Sequence, residues 1–246
     1  RLSQELAFSL EIAMSAIRGN SYYTIVDGPT WTAAAAEAVN QGGYLVTINT
    51  NEEDTFIEGF LNNYFSSLEK RIDGNQTYFI RNGEEQTSDV WIGLNDKDNE
   101  GSYKWQSGQS VDYIETNELY DDNGLQDFIA LRYITAKQWG WDDQENDDSR
   151  NSSYGRGDLR YSNKVGIAEI PVTSSASFSA TPKEGEGVFT TTINLSAGNS
   201  SNLINGTEIF WKITGITSDD LVSGSIQGSG TISNGKMEIQ HALKED

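Results

Sequence analysis

The chain has 246 residues, of which 37 are acidic and 17 basic, for a formal net charge of −20. That balance excludes nucleic acid as a partner, because phosphate neutralisation needs clustered Lys and Arg, and it supplies the oxygen ligands that hard cations such as calcium prefer. Cysteine is absent and His241 is the single histidine, so disulfides, thiolate metal sites, His-based zinc sites and a Ser-His-Asp triad are excluded.

In chain order, Leu2, Leu6, Leu10, Ala13 and Ile17 stand at helical spacing. They predict an N-terminal helix or linker over residues 1–20, ending at Gly19-Asn20 and too polar for a signal-peptide core. No run of about eighteen apolar residues occurs anywhere, so membrane insertion is not expected. SYYTIV reads as a strand stopped by Asp27-Gly28-Pro29. A helix follows from Trp31, with Thr30 as N-cap and Gly42-Gly43 beyond its end. YLVTI is a short strand, and a second helix over residues 49–68 places Phe56, Ile57, Phe60, Leu61 and Tyr64 on one face.

An insert, KRIDGNQTYFIRNGEEQTSD, reads as irregular with a hairpin inside it. VWIGL, SYKWQSG, DFIALRYI and KVGIAEIP read as strands, whereas residues 109–127 and 137–164 read as loops rich in Asp, Asn, Gly and Ser. Composition changes at Pro171, which puts a boundary at about residues 171–176. Beyond it SFSAT, VFTTTINLS, EIFWKIT, GSIQGSGTIS and KMEIQHAL alternate polar and apolar residues between turns, the pattern of an all-β sandwich.

Several spaced features in residues 21–171 now add up. Trp31, Ala34, Ala38, Gly42-Gly43, Leu45 and Ile48, then Glu52-Glu53, Trp91-Ile92-Gly93-Leu94, Tyr103, Trp105, Gly108, Trp141-Asp142-Asp143 and Gly166-Ile167-Ala168-Glu169 follow one another in order. Together they resemble a C-type lectin-like domain. The resemblance implies an α+β fold over residues 21–173 with a long acidic loop region, followed over residues 174–246 by an all-β sandwich-like segment. Ala38, Ala168 and Phe128 stand where the family places disulfide cysteines, a departure resembling bacterial and phage members. The tail resembles the Calx-β or immunoglobulin-like sandwiches of large bacterial and cyanobacterial surface adhesins.

The same resemblance implies calcium ligands. Asp96 and Glu100 stand at the positions of one ion, whose other half depends on Asp127 and Asp143, and an ordinary solvated turn is the competing reading of that loop. Glu115-Thr116-Asn117 resembles the family's Glu-Pro-Asn without its proline. Glu118, Gln126, Asp127, Asp142 and Asp143 complete the implied set, with Asp121, Asp122, Asp147 and Asp148 in reserve. Ligand contact is implied for Glu115, Asn117, Asp142 and Asp143. Trp139 is a candidate stacking surface for a sugar ring, with core packing as its alternative; Tyr120 and Tyr154 are candidate rim contacts. Trp31, Trp91, Trp105 and Trp141 are assigned to the core.

The expected function is a calcium-dependent carbohydrate-binding module of an extracellular, cell-surface or virion-surface protein, with glycans on cell or environmental surfaces as partners. The alternative is a protein-recognition or structural module, as in a phage tail fibre, with a protein receptor and no sugar. A carboxylate-pair glycosidase is set aside because abundant acids make such pairs by chance, so the chain reads as a non-enzyme.

Overall fold

The computed structural model describes residues 15–73, 76–86, 88–115, 126–135, 138–146, 164–179, 184–199, 204–213 and 216–245. The first half begins with β1 (Ser15–Arg18), β2 (Ser21–Asp27), α1 (Trp31–Asn40), β3 (Tyr44–Leu45) and α2 (Asn51–Ser67). The first helix starts as its sequence predicts, the Thr30 hydroxyl accepting from Ala33 N at 3.1 Å; the second starts two residues later than expected, where the Thr50 hydroxyl accepts from Glu53 N at 3.1 Å. Each cap satisfies a backbone donor that the first turn leaves unpaired.

The insert forms β4 (Glu69–Asp73), β5 (Gln76–Arg81) and β6 (Glu84–Gln86), a small three-stranded antiparallel sheet. Then come β7 (Val90–Asn95), β8 (Lys104–Trp105), β9 (Phe128–Thr135), β10 (Gln138–Gln144) and β11 (Val165–Phe178). The tail adds β12 (Val188–Ala197), β13 (Glu208–Lys212), β14 (Leu221–Ser223), β15 (Gln227–Thr231) and β16 (Lys236–Leu243).

The main sheet runs β10-β9-β7-β11-β12-β16-β14, with β2, β3 and β8 joined at its sides and β1 on β2. All six residues of β7 are buried, because α1 covers one face and α2 the other. Ile92 and Leu94 join Ile57, Leu61, Tyr64 and Trp141 on the α2 side, while Trp91 joins Trp31, Ala34, Ala38 and Ala168 on the α1 side. Ala38 and Ala168, at the positions where the resemblance expects a disulfide, are both fully buried in that second cluster. Packing takes the place of the covalent link, with Phe128 against Trp31 at 4.8 Å between ring centroids.

Two elements differ from the sequence reading. Ser15–Arg18 is a strand paired with β2, where a helix was expected to run to Gly19-Asn20; residues 1–14 lie outside the described residues. Ala16 packs on one core cluster and Ile17 on the other, so adjacent residues use opposite faces of a strand. β10 lies where residues 137–164 read as loop. Its acids and glutamines hide a period of two, in which Trp139, Trp141 and Asp143 alternate with Gly140 and Asp142.

The expected boundary at residues 171–176 falls inside a continuous strand. Residues Val165 to Pro171 of β11 pair with β2, and Val172 to Phe178 pair with β12. In the tail, β13 and β15 form a two-stranded sheet against β16, with the Trp211 and His241 rings 5.6 Å apart. Ala197, Ile204, Ile232 and Met237 from the tail complete the α1-side cluster, so the two halves share a core.

Candidate metal and ligand site

The loop after β7 is wound around Asp96. Its backbone N–H donates to Asp127 O at 3.1 Å, and its carbonyl accepts from Asn99 N at 2.9 Å. Gly101 N donates to Asp96 Oδ2 at 2.7 Å, and Gly101 then turns the chain with a left-handed φ of 72°, which glycine adopts without steric cost. Oδ1 of the same carboxylate is buried and meets no hydrogen-bond donor among the described residues, and Asp96 as a whole is 0% exposed.

Two further carboxylates converge there. Glu100 comes from the exposed end of the loop, and Asp143 comes from β10, where it is 1% exposed. One ligand atom from each of Asp96, Glu100 and Asp143 lies within 4.8 Å of the others. The sheet makes this convergence: Asn95 pairs with Phe128 and Ile129 with Asp143, so β9 carries β10 to the end of β7. Three carboxylates this close repel one another unless a cation or protons compensate. Carboxylate oxygens are the ligand type a calcium ion takes, about six to eight at a time, and these three would supply part of such a set.

The remaining implied ligands are placed elsewhere or only partly there. Asp127 contributes backbone: its carbonyl holds Asp96 and its N–H donates to Gln144 O at 3.3 Å. Gln126 is half-buried. Asp142 points to the other face of β10, where Oδ2 accepts from Gln144 Nε2 at 2.8 Å and Arg132 Nη1 at 3.3 Å. Burial raises its carboxyl above the ordinary value despite those donors.

Glu115 belongs to a second group, since the Tyr113 hydroxyl lies 3.0 Å from Glu115 Oε2 and 3.0 Å from Asp54 Oδ2. A hydroxyl has one proton to donate, so it serves one carboxylate at a time. Trp141 Nε1 donates to Asp54 Oδ1 at 3.4 Å. Burial first, and then the bond to Asp54, pushes the Tyr113 hydroxyl well above its ordinary range. Sequence reasoning missed Asp54 and Tyr113, because one buried acid in the acidic first turn of a helix carries no periodic mark.

Asn117 and Glu118 lie outside the described residues, as do Tyr120, Asp121, Asp122, Asp147, Asp148 and Tyr154. Trp139, offered as a stacking surface, is corrected by its environment. It is 3% exposed, packs on Phe65 and Tyr133, and donates Nε1 to Asn62 Oδ1 at 3.0 Å. Its position in the inward set of β10 commits the ring to the core.

The profile of the lectin C-type domain matches residues 28–164, a span containing both helices of the first half, the acidic loop and β10. The chain belongs to that family. Among curated proteins it is 27% identical to lectin BRA-3 of Megabalanus rosa over 136 residues, covering 54% of this chain and 68% of that protein. It is 25% identical to a perlucin-like protein of Mytilus galloprovincialis over 124 residues, covering 50% of this chain and 67% of that one. C-type mannose receptor 2 of Homo sapiens is 26% identical over 116 residues, 47% of this chain but 6% of the receptor.

Among solved structures, the C-type lectin CEL-I from Cucumaria echinata superposes with a TM-score of 0.40 at 18% identity, covering 63% of this chain and 93% of that one. Human lithostathine does so with a TM-score of 0.43 at 17% identity, covering 64% and 96%.

Proposed function

We propose that this lectin-family chain binds carbohydrate with the help of a calcium ion held by Asp96, Glu100 and Asp143. The observation that carries the reading is the buried Asp96 Oδ1, which has no donor among the described residues and stands beside two further carboxylates. Bound calcium supplies positive charge to the three carboxylates and open coordination positions for oxygen ligands. The chain's own residues do the positioning: Gly101 fixes the Asp96 carboxylate, the Asp127 carbonyl holds the loop, and β10 presents Asp143. Glu115, Asn117, Glu118 and Gln126 are proposed as further ligands beside the ion, whereas Asp142, turned to the other face of β10, is not. The relatives named as lectins support the sugar, and the acid cluster supports the ion.

Two measurements test these parts separately. Saturating calcium at about 100 times Kd adds about 2.7 kcal/mol of stability, a rise of roughly 5–10 °C in Tm for a chain of this size. Asp96→Asn with Asp143→Asn removes that rise; an unchanged melt in calcium sinks the ion. Glycan-array binding lost on adding EGTA supports calcium-dependent recognition, and binding that survives EGTA overturns it.

A second reading keeps the ion and replaces the sugar by a protein. It is favoured by the buried Trp139 ring and by the Asp142 carboxylate already engaged by Gln144 and Arg132. On either reading the tail is proposed to be a sandwich of the Calx-β or immunoglobulin-like kind, in a surface adhesin or fibre of the bacterial or phage type.

A further inference from the structure

Among the described residues, a cleft in this acidic chain is lined by two cations, Arg81 and Lys164. It measures about 210 Å³ and lies between the turn at Asp27–Pro29, the β5–β6 hairpin and the residue preceding β11. Arg81 reaches it from the end of β5, just before the tight Asn82-Gly83 turn, where both residues have positive φ. Arg81 Nη1 is paired with Asp27 Oδ1, an exposed acid on the lip. Lys164 is 4% exposed; its Nζ donates to Gln144 Oε1 and sits 4.2 Å from the Trp91 ring centroid. The acids behind it, Asp89 and Asp142, are engaged through Gln144 Nε2 at 3.3 and 2.8 Å.

Gln86 also lines the cleft and is 5% exposed. Its Oε1 accepts from the Tyr64 hydroxyl at 2.8 Å, while its buried Nε2 finds no acceptor among the described residues. A buried amide donor normally has a partner, and an unmet one calls for an explanation. Guanidinium and amide donors beside an ammonium are complementary to an anionic oxygen pair, and Asp27 on Arg81 shows that the guanidinium takes a carboxylate.

We propose that this cleft is a second ligand site, taking the carboxylate or sulfate group of a small acidic saccharide. Gln86 Nε2 and Arg81 donate to the anion, Lys164 supplies positive charge, and Asp27 is a competitor displaced from Arg81 on binding. The site uses no residue of the acid cluster and needs no calcium, so its outcome is independent of the calcium-dependent reading.

The test is calorimetric titration of the full chain in EGTA at low salt with galacturonate, galactose 6-sulfate and neutral galactose. Saturable binding of at least one anionic sugar is expected, with galactose about tenfold weaker or more. Uronate alone, sulfate alone or both binding then identifies which anion the site accepts. Arg81→Met, on the exposed lip, should cost about tenfold or more, Gln86→Leu should do the same, and Asp27→Asn should tighten binding. Melting curves confirm that each variant is folded. The proposal is overturned if neither anion saturates, if galactose binds equally, or if binding survives Arg81→Met in a folded protein.

Discussion

Glu169, just before the strand changes partners, is 8% exposed and ionisable. Its oxygens accept from the Ser21 hydroxyl at 2.8 Å and Thr47 N at 3.2 Å, with the Tyr23 hydroxyl at 3.4 Å. Those donors favour the carboxylate, yet burial outweighs them and holds the carboxyl above its ordinary 4.5. A raised folded-state value means that the folded protein binds the proton more readily than the unfolded chain does. The resulting stability is fully present below the ordinary value and is lost as pH rises through the folded one. Glu169→Gln should therefore flatten the pH dependence of Tm above about pH 4.5. Parallel Tm–pH curves for the two proteins would show that the carboxyl contributes nothing of this kind. Exposed Asp98 and Asp220 have lowered values with the opposite sign, but solvent screens them.

Among elements, β10 shows best what a single sequence reveals. The first helix was legible from its Thr30 cap, the second from its apolar spacing, and β7 because VWIGL is a short run of bulky apolar residues. Asp96 and Glu100 were legible from the resemblance, which also joined them to Asp127 and Asp143; strand register brings the Asp143 carboxylate there, whereas Asp127 reaches Asp96 through its backbone carbonyl. β10 itself was hidden by its polar half, and Trp139 with it. Trp139→Ala should cost about 3–5 kcal/mol in denaturant unfolding, the range for an emptied large aromatic site. A loss of binding with unchanged stability would return that ring to a ligand-facing role.

At the scale of the whole molecule the two halves are fitted backbone to backbone. A Cβ on Gly198 would stand 2.0 Å from Gln41 O, and its φ of 54° already disfavours other residues. Beside it, Asn199 donates its N–H to Gln41 O at 3.2 Å and its side-chain amide to Asn40 O at 3.1 Å. Gly198→Ala should thus destabilise by more than about 1 kcal/mol. Because the α1-side cluster draws on both halves, the loss should appear in the entire unfolding transition. Two separate transitions, with the lectin half unmoved, would mean that the halves fold independently.

The continuous β11 also has a mechanical meaning. A pull entering through β12 and β16 reaches the lectin half along the one extended backbone of β11. The hydrogen bonds joining Val165–Pro171 to β2 lie across that direction, so tension loads them in shear and together instead of peeling them one at a time. Force applied to the tail would then be carried into the lectin half without first unravelling the joint.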